Sequence, residues 1–297
     1  MKIITVTLNP CIDVAYNMKG EFRAGELNRV GEPKLSYSGK GINVSRRLLS
    51  LGTQSTVITF SFGDDGEKMC ESLRREGMSV YAVSCEGRLR RNSAVLDENG
   101  KATEMNESGS LVPEEKQKEI IGLIKSELNC PDKKILMVCG SIPAGCSPDI
   151  YRKICKIGAM NDALVVLDCD GESLKEGLKG NPNLIKPNRR ELEELTGADL
   201  SGSGEDVRID AVRCALEFYR NEDVAVLATL DSDGAVYAGP DGSFMCPAVK
   251  GNIKSFKGAG DAFLASFIRE LIVLDGECEL SLVKAAAQTT ELLCKNV

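Results

Sequence analysis

The sequence predicts an α/β protein, a mostly parallel sheet covered by helices on both faces, with a small β-sheet excursion set apart from it. Three observations carry this expectation. From residue 113 onward, strand-like and helix-like segments alternate. The strands are near-continuous apolar runs, such as ILMVC (135–139) and LVVL (164–167), which is the pattern of strands buried on both faces. Small and polar residues punctuate the C-terminal end of strand after strand: Gly140-Ser141, Asp168-Cys169-Asp170-Gly171, Lys186-Pro187-Asn188 and Thr229-Leu230-Asp231. That edge is where open α/β sheets bind ligands.

Composition narrows the functions. At 297 residues, with 42% apolar and 27% charged side chains, the chain can bury one large core or a core with a small appendage. A formal net charge of −7 and a pI near 5.0 leave no basic stripe, which argues against nucleic acid and anionic membrane as partners. Twelve cysteines without a C-x-x-C pair, several in apolar runs (Cys139, Cys169, Cys214, Cys294), read as reduced thiols of a cytoplasmic protein and not as a disulfide framework or zinc site. Histidine is absent, so proton transfer near neutral pH falls to a carboxylate, Lys, Cys or Tyr. No apolar run reaches the roughly 18 residues of a membrane span, and the N-terminal run stops at Asn9-Pro10.

In chain order, Met1 to Leu8 reads as a central strand that delivers Asp13 just past its end. Residues 11–37 read as short exposed strands around Val14, Tyr16 and Leu27, Val30, broken by Gly20, Gly25 and Pro33. Ser38-Gly39-Lys40-Gly41-Ile42-Asn43-Val44 is a Gly-rich turn that opens a helix with an apolar face of Val44, Leu48, Leu49 and Leu51. Strand 55–60, helix 65–76 and strand 80–84 form a β-α-β unit. Arg88, Arg90 and Arg91 crowd ahead of two alternating runs, 93–97 and 102–106, whose Glu98-Asn99-Gly100 connection signals a hairpin. Those arginines read either as a solubilising edge or as an anion site. Helices 113–128, 148–160, 206–219 and 280–293 then alternate with strands 135–139, 164–167, 183–185 and 224–228, and two short strands, 235–238 and 243–247, follow.

A second glycine loop, Lys257-Gly258-Ala259-Gly260-Asp261, opens into the apolar helix of Phe263, Leu264, Phe267 and Ile268. Gly258 and Gly260 let backbone N–H groups crowd an anion at the positive end of the helix dipole. Asp261 stands at that end, either as a cap or as a carboxylate beside reacting atoms. Lys40, inside the earlier loop, reads as a solvated side chain or as a ligand for the same kind of anion.

The ordered set Thr7-Leu8-Asn9-Pro10-x-x-Asp13, Gly-Glu-Leu-Asn-Arg (25–29), Gly-Lys-Gly-Ile-Asn-Val (39–44), Arg90-x-Asn92, Gly140-Ser141-x-Pro143, Lys186-Pro187-Asn188-x-x-Glu191 and Gly258-Ala259-Gly260-Asp261 resembles the PfkB-type (ribokinase-like) carbohydrate kinases. Within them it is similar to the phosphosugar branch of 1-phosphofructokinase and tagatose-6-phosphate kinase. The resemblance implies a three-layer α/β/α core (1–10, 38–87 and 108–297) with a β-sheet lid (11–37 and 88–107) that clasps a partner lid in a homodimer. It also implies Mg²⁺- and ATP-dependent phosphorylation of a ketohexose monophosphate, fructose 1-phosphate first. By position, Asp261 becomes the base, and Gly258, Ala259 and Gly260 supply N–H groups to the transferring phosphoryl. Asp13, Gly39, Asn43, Asn92 and Ser141 become sugar ligands, and Lys40, Arg90 and a partner's Arg29 become ligands of the substrate phosphate. Lys186, Asn188, Thr229, Asp231, Gly234 and Lys257 fall on the nucleotide side, and Glu191 organises Mg²⁺ through water. Asp13 keeps the reading of a turn residue, and Glu191 that of a capping acid, since Asn188-Arg-Arg-Glu191 also fits a capping box.

Departures from the family pattern cluster on the nucleotide side. Thr229-Leu230-Asp231 replaces Ser-Leu-Gly, Phe256-Lys257 replaces a hydroxyl residue and Val, and Asp168-Cys169-Asp170-Gly171 replaces Asp-Thr/Ser-Ser-Gly. The chain stops at Val297, which shortens the expected adenine wall. An Asp231–Lys257 pair is expected to balance the charge. These changes raise a second expectation, a degenerate member that senses a sugar phosphate with little turnover.

Overall fold

The computed structural model describes residues 1–249, 251 and 258–294. Two sheets interleave along the chain. Strand β1 (Lys2–Thr7) begins the large sheet, and β2 (Cys11–Asn17) and β3 (Lys34–Ser38) leave for a small one. Then α1 (Lys40–Ser50), β4 (Thr56–Phe62), α2 (Gly63–Arg75) and β5 (Ser79–Cys85) return, before β6 (Arg90–Leu96) and β7 (Ala102–Asn106) complete the small sheet. The remainder builds the large sheet alone: α3 (Glu114–Leu128), β8 (Lys134–Cys139), α4 (Ile150–Met160), β9 (Ala163–Asp168), α5 (Gly171–Leu178), β10 (Leu184–Ile185), α6 (Arg189–Thr196), α7 (Gly204–Glu222), β11 (Ala225–Thr229), β12 (Ala235–Gly239), β13 (Gly242–Cys246), α8 (Ala259–Val273) and α9 (Cys278–Cys294).

The nine described strands of the large sheet run in the order β13-β12-β11-β10-β9-β8-β1-β4-β5. From β11 to β5 every pairing is parallel, and only β12 and β13 are antiparallel. The reason lies in the strand sequences. Successive side chains point to opposite faces, and in β8 Leu136 and Val138 enter one core cluster while Ile135, Met137 and Cys139 enter the other. The first cluster is closed by apolar residues of α2 to α7, such as Met69, Ile120, Ile154 and Leu192. The second is closed by Val44 and Leu48 of α1, Phe263, Leu264 and Phe267 of α8, and Leu282 of α9. An apolar strand with no polar face needs helices on both sides, and it has them.

The small sheet has the order β3-β2-β6-β7. The hairpin signal at Asn99-Gly100 holds: Gly100 takes φ +79, and Asp97 accepts from the amides of Asn99 and Lys101 at 2.9 Å each. The 11–37 stretch differs from expectation in three ways. Its second strand is Lys34–Ser38, whereas Leu27 lies in a loop and Val30 makes only an isolated bridge to Met18. Residues Cys11 to Val14 are buried, because β2 is an interior strand flanked by β3 and β6, and its Ile12 and Val14 join the first core cluster. Asp13 accordingly sits within β2, not in a turn after β1.

Candidate active site

Parallel strands deliver their C-terminal ends to one edge, where the N-termini of α1 and α8 also arrive and the small sheet stands over them. Between the two lies a cavity of about 1190 Å³ lined from both sides. The small sheet turns one alternate set of residues toward it: Cys11 and Asp13 of β2, Arg90 and Asn92 of β6, Glu104 and Asn106 of β7.

The cavity floor is the start of α8. Gly258 takes φ +75 as its N-cap, and among the described residues a Cβ there would meet nothing within 4 Å. Asp261 is buried, 9% exposed, and its Oδ2 accepts from Asn43 Nδ2 at 2.9 Å. Burial and the nearby Asp168 push its carboxyl up to about 6, against the pull of Asn43, Lys186 and Lys40. The N-cap of α8 is Gly258, so Asp261 stands in the first turn of the helix and not at the cap position. Asn43 is itself fixed: its Oδ1 accepts from Ser38 Oγ at 3.1 Å and from Arg46 Nη1 at 3.2 Å. Gly39, at φ +152, begins α1 where a Cβ would come within 2.6 Å of Thr7 Cγ2, so a larger residue here is strained in its backbone and must displace the Thr7 side chain.

Between the two glycine loops sits an ionic cluster. Asp168 ends β9 fully buried, and its Oδ1 lies 3.0 Å from Lys40 Nζ and 3.5 Å from Lys186 Nζ. Burial pushes the Asp168 carboxyl up, but the two ammonium groups outweigh it and hold it below the ordinary carboxylate range. Asp168 in turn raises Lys40 well above its usual value. Lys186 is 6% exposed and reaches Gly260, where an added Cβ would lie 3.5 Å from its Nζ. Lys40, its side chain 35% exposed, is thus ion-paired and still partly solvated: two cations stand at the head of α8 with one carboxylate between them. Asp168 Oδ2 has no hydrogen-bond partner among the described residues.

Other sequence-marked residues fall around this centre. Arg90 lines the cavity while donating to Asn9 O (3.1 Å) and Glu107 O (3.3 Å). Asn92 donates to Cys11 Sγ, which donates to Asp13 Oδ1. Ser141 Oγ accepts from Asn9 Nδ2 at 3.1 Å. Asn188 caps α6 in a complete capping box, donating its amide to Glu191 Oε2 (2.8 Å) and accepting from Glu191 N (2.9 Å). Glu191 is thus a capping acid and also senses Lys40 and Lys186, while burial raises its carboxyl.

At the far end, Thr229 bridges Asn188 and lines the cavity with Asp231 and Gly234. Gly234 takes φ +107, and a Cβ there would stand 2.1 Å from Cys246 O. Asp231 adopts φ +52, a left-handed backbone that explains why glycine serves at this position and why Asp tolerates it. Its side chain is 80% exposed and lies 3.9 Å from Arg189 Nε, so an arginine of α6 already faces its charge. Lys257 and Phe256, with the expected Asp231–Lys257 pair, lie outside the described residues. Arg29 is exposed in the loop after β2, away from its own chain's cavity. The end wall comes from α9 (Ala286, Thr289, Thr290, Leu293), within the chain itself. Asp168 and Arg46 were also missed as site residues. The first was visible as an acid ending a buried strand; the second carries no local signal.

The sequence pattern of the pfkB family carbohydrate kinases matches residues 6–290. The chain belongs to this family. Among curated pfkB relatives, the 1-phosphofructokinase of Borreliella burgdorferi is 32% identical over 90% of the chain and 83% of its own length. The D-tagatose-1-phosphate kinase of Bacillus licheniformis is 29% identical over 90% and 84%. The Escherichia coli phosphofructokinase-2 structure in complex with fructose-6-phosphate superposes with a TM-score of 0.86 at 24% identity, over 98% of this chain and 93% of that one, which shows the shared fold. As a pfkB member the protein is a carbohydrate kinase, an enzyme whose phosphoryl donor is ATP. Among the described residues no helix is long and apolar enough to cross a membrane, and none of the twelve cysteines is in a disulfide.

Proposed function

We propose that the protein transfers the γ-phosphoryl group of ATP to the C6 hydroxyl of a ketohexose 1-phosphate, with fructose 1-phosphate as the first substrate and fructose 1,6-bisphosphate as product. The observation that carries this reading is Asp261: a buried carboxylate at the open N-terminus of α8, held by Asn43 and facing Lys40 and Lys186. The small sheet serves as the lid. The curated relatives named for 1-phosphate sugars favour that position of the substrate phosphate over the 6-phosphate of tagatose.

In this reading Asp261 accepts the hydroxyl proton as the new O–P bond forms and the bond to the ADP oxygen breaks. A buried carboxylate near pH 6 is ionised at neutral pH yet basic enough to share a proton in the transition state. The amides of Gly258, Ala259 and Gly260 and the dipole of α8 face the charge of the moving phosphoryl, with Lys186 beside them. Asp13 and Asn92 take sugar hydroxyls, with Gly39, Asn43 and Ser141 beside them; Asn92 Oδ1 has no hydrogen-bond partner among the described residues. Lys40 and Arg90 hold the substrate phosphate. Asn188, Thr229, Asp231 and Gly234 border the nucleotide.

Mg²⁺ fits on a particular condition. No group of three or more acidic, Cys or His side chains forms a metal cage among the described residues, and a Mg²⁺ ion would be held here through the substrate phosphates and water. Glu191, with one oxygen spent on its capping box, offers the other to that water shell. Bound there, the metal supplies charge neutralisation for phosphoryl transfer.

A homodimer through the lid belongs to the same reading. The row Leu35–Val14–Ser93–Met105 crosses the lid face turned away from the cavity, with Leu35 66% and Met105 57% exposed. Such a dimer brings Arg29 toward the partner's cavity. The free thiols suit a reducing cytoplasm.

The test is ADP release from Mg·ATP with fructose 1-phosphate, tagatose 1-phosphate, tagatose 6-phosphate, fructose 6-phosphate and fructose, beside Asp261→Asn. Saturable turnover on a 1-phosphate that drops at least about 10²-fold in the variant is expected. No turnover, with phosphosugars still raising Tm, would instead make the protein a sensor.

A further inference from the structure

A hydrogen-bonded chain leads from the lid and from α2 to the catalytic carboxylate, and the residue at its centre is Arg46. Its Nε and Nη2 grip Glu76 at the end of α2, at 2.7 and 3.3 Å. Nη2 also donates to the carbonyl of Tyr37 in lid strand β3 at 3.1 Å. Nη1 donates to Asn43 Oδ1 at 3.2 Å, and Asn43 Nδ2 donates to Asp261 Oδ2 at 2.9 Å. The next residue of β3, Ser38, donates to the same Asn43 oxygen.

An asparagine amide can present either its oxygen or its NH₂ to a neighbour, and the two ends differ little in shape. Two donors converge on Oδ1, so the amide is locked with its NH₂ toward Asp261. That lock matters because the opposite orientation would set a carbonyl oxygen against a carboxylate. Ser38 alone is a single rotatable hydroxyl. Arg46 is a planar fork pinned at three points, and a fork pre-organised in this way holds its partner with little loss of side-chain entropy.

We propose that Arg46 is a positioning residue, tying lid strand β3 and the end of α2 to the orientation of Asn43 and through it to the catalytic base. The inference rests on Asp261 being that base. When the end of β3 sits against the core, Tyr37 O and Ser38 complete the lock; when it lifts, Asn43 loses the Ser38 hydroxyl and Arg46 loses its Tyr37 anchor. The base is therefore fully formed only under a seated lid, which keeps phosphoryl transfer away from water. Among the described residues, the charged groups facing Asp261 are Asp168 of β9, Lys186 after β10 and Lys40 of α1, and all three stay in place in the variants below.

The experiment measures kcat against pH for Arg46→Ala, Arg46→Lys and Glu76→Gln with the preferred phosphosugar, alongside amide exchange at residues 34–38. In Arg46→Ala, kcat falls about tenfold or more, as expected when a catalytic group is loosely held. Its acid limb moves up by about half a pH unit or more, because a hydrogen bond to the ionised carboxylate has been loosened. Arg46→Lys keeps the charge and loses the fork, so it shows the same shift. Glu76→Gln leaves the guanidinium in place with a weaker anchor and shows a smaller one. Exchange at 34–38 quickens in Arg46→Ala. A folded, active Arg46→Ala whose acid limb and exchange match the unsubstituted enzyme overturns the inference alone, as does an Arg46→Lys that restores the parent profile. Absence of turnover by the unsubstituted protein overturns the reading of Asp261 and this inference with it.

Discussion

Replacing Asp261 by Asn should remove activity and stabilise the protein, and the stabilisation should grow with pH. Its carboxyl stands at about 6 in the fold against 3.8 for the unperturbed group. At 1.36 kcal/mol per pH unit, keeping this carboxylate ionised costs about 3 kcal/mol above pH 6. The sign follows from proton binding: the folded state holds its proton more tightly than the unfolded chain. The penalty is thus absent below pH 3.8, grows between the two values and is complete above the folded one. Integrated, it amounts to about 1.5 kcal/mol at pH 5 and about 3 kcal/mol at pH 8. Asn keeps an acceptor for Asn43 and carries no charge. With an unfolding entropy of about 2.1 cal/mol/K per residue over 297 residues, Tm of Asp261→Asn should exceed the parent by about 2–3 °C at pH 5 and about 5 °C at pH 8. Thermal unfolding followed by circular dichroism at the two pH values decides. An equal gain at both, or a loss at pH 8, would refute the claim that burial and Asp168 hold this base in a strained ionised form.

The parent enzyme's kcat should fall on the acid side with a limb at pH 6 or slightly above, since bound phosphates add negative charge beside Asp261; a flat profile down to pH 5 would contradict it. Asp168→Asn removes a neighbour that raises Asp261, so the limb should move down in whatever enzyme folds, opposite to the shift expected for Arg46→Ala. The same variant leaves Lys40 and Lys186 facing each other without their counter-charge, and about 3–5 kcal/mol of stability should go with it, read as a drop in denaturant midpoint. Gly234→Ala forces a Cβ to within 2.1 Å of Cys246 O at φ +107 and should cost about 2–4 kcal/mol, with KM for ATP rising more than KM for the sugar.

How much of this was legible beforehand depends on the range of the interaction. The alternation of apolar runs and the small residues ending each strand are local patterns, so the parallel sheet and its binding edge could be read residue by residue. Lys40, Asn43, Lys186, Asn188 and Asp261 sat in loops whose glycines and capping signals are local too. The strand at Lys34–Ser38 was hidden because its exposed, weakly alternating residues pair only with a β2 whose burial comes from β6, some eighty residues later. The role of Asp168 depends on partners 128 and 18 residues away, which no local window contains.

If Asp261 is the base proposed above, these long-range pairs decide how a protein without histidine runs base chemistry near neutral pH. An exposed aspartate would be too weak a base, and a buried one without cations would stay protonated at pH 7. The site uses one carboxylate, Asp168, to hold two lysines, and places the second carboxylate within reach of both like and unlike charges. Burial and Asp168 raise Asp261, while Lys40, Lys186 and Asn43 keep the rise from reaching neutrality. The position of the balance is set by four groups from three separate segments, so a change in any one should move the acid limb in the direction of its own charge or hydrogen bond. Opposite shifts for Asp168→Asn and Arg46→Ala are the signature that separates this balance from simple loss of a catalytic group, which lowers the plateau and leaves the limb where it was.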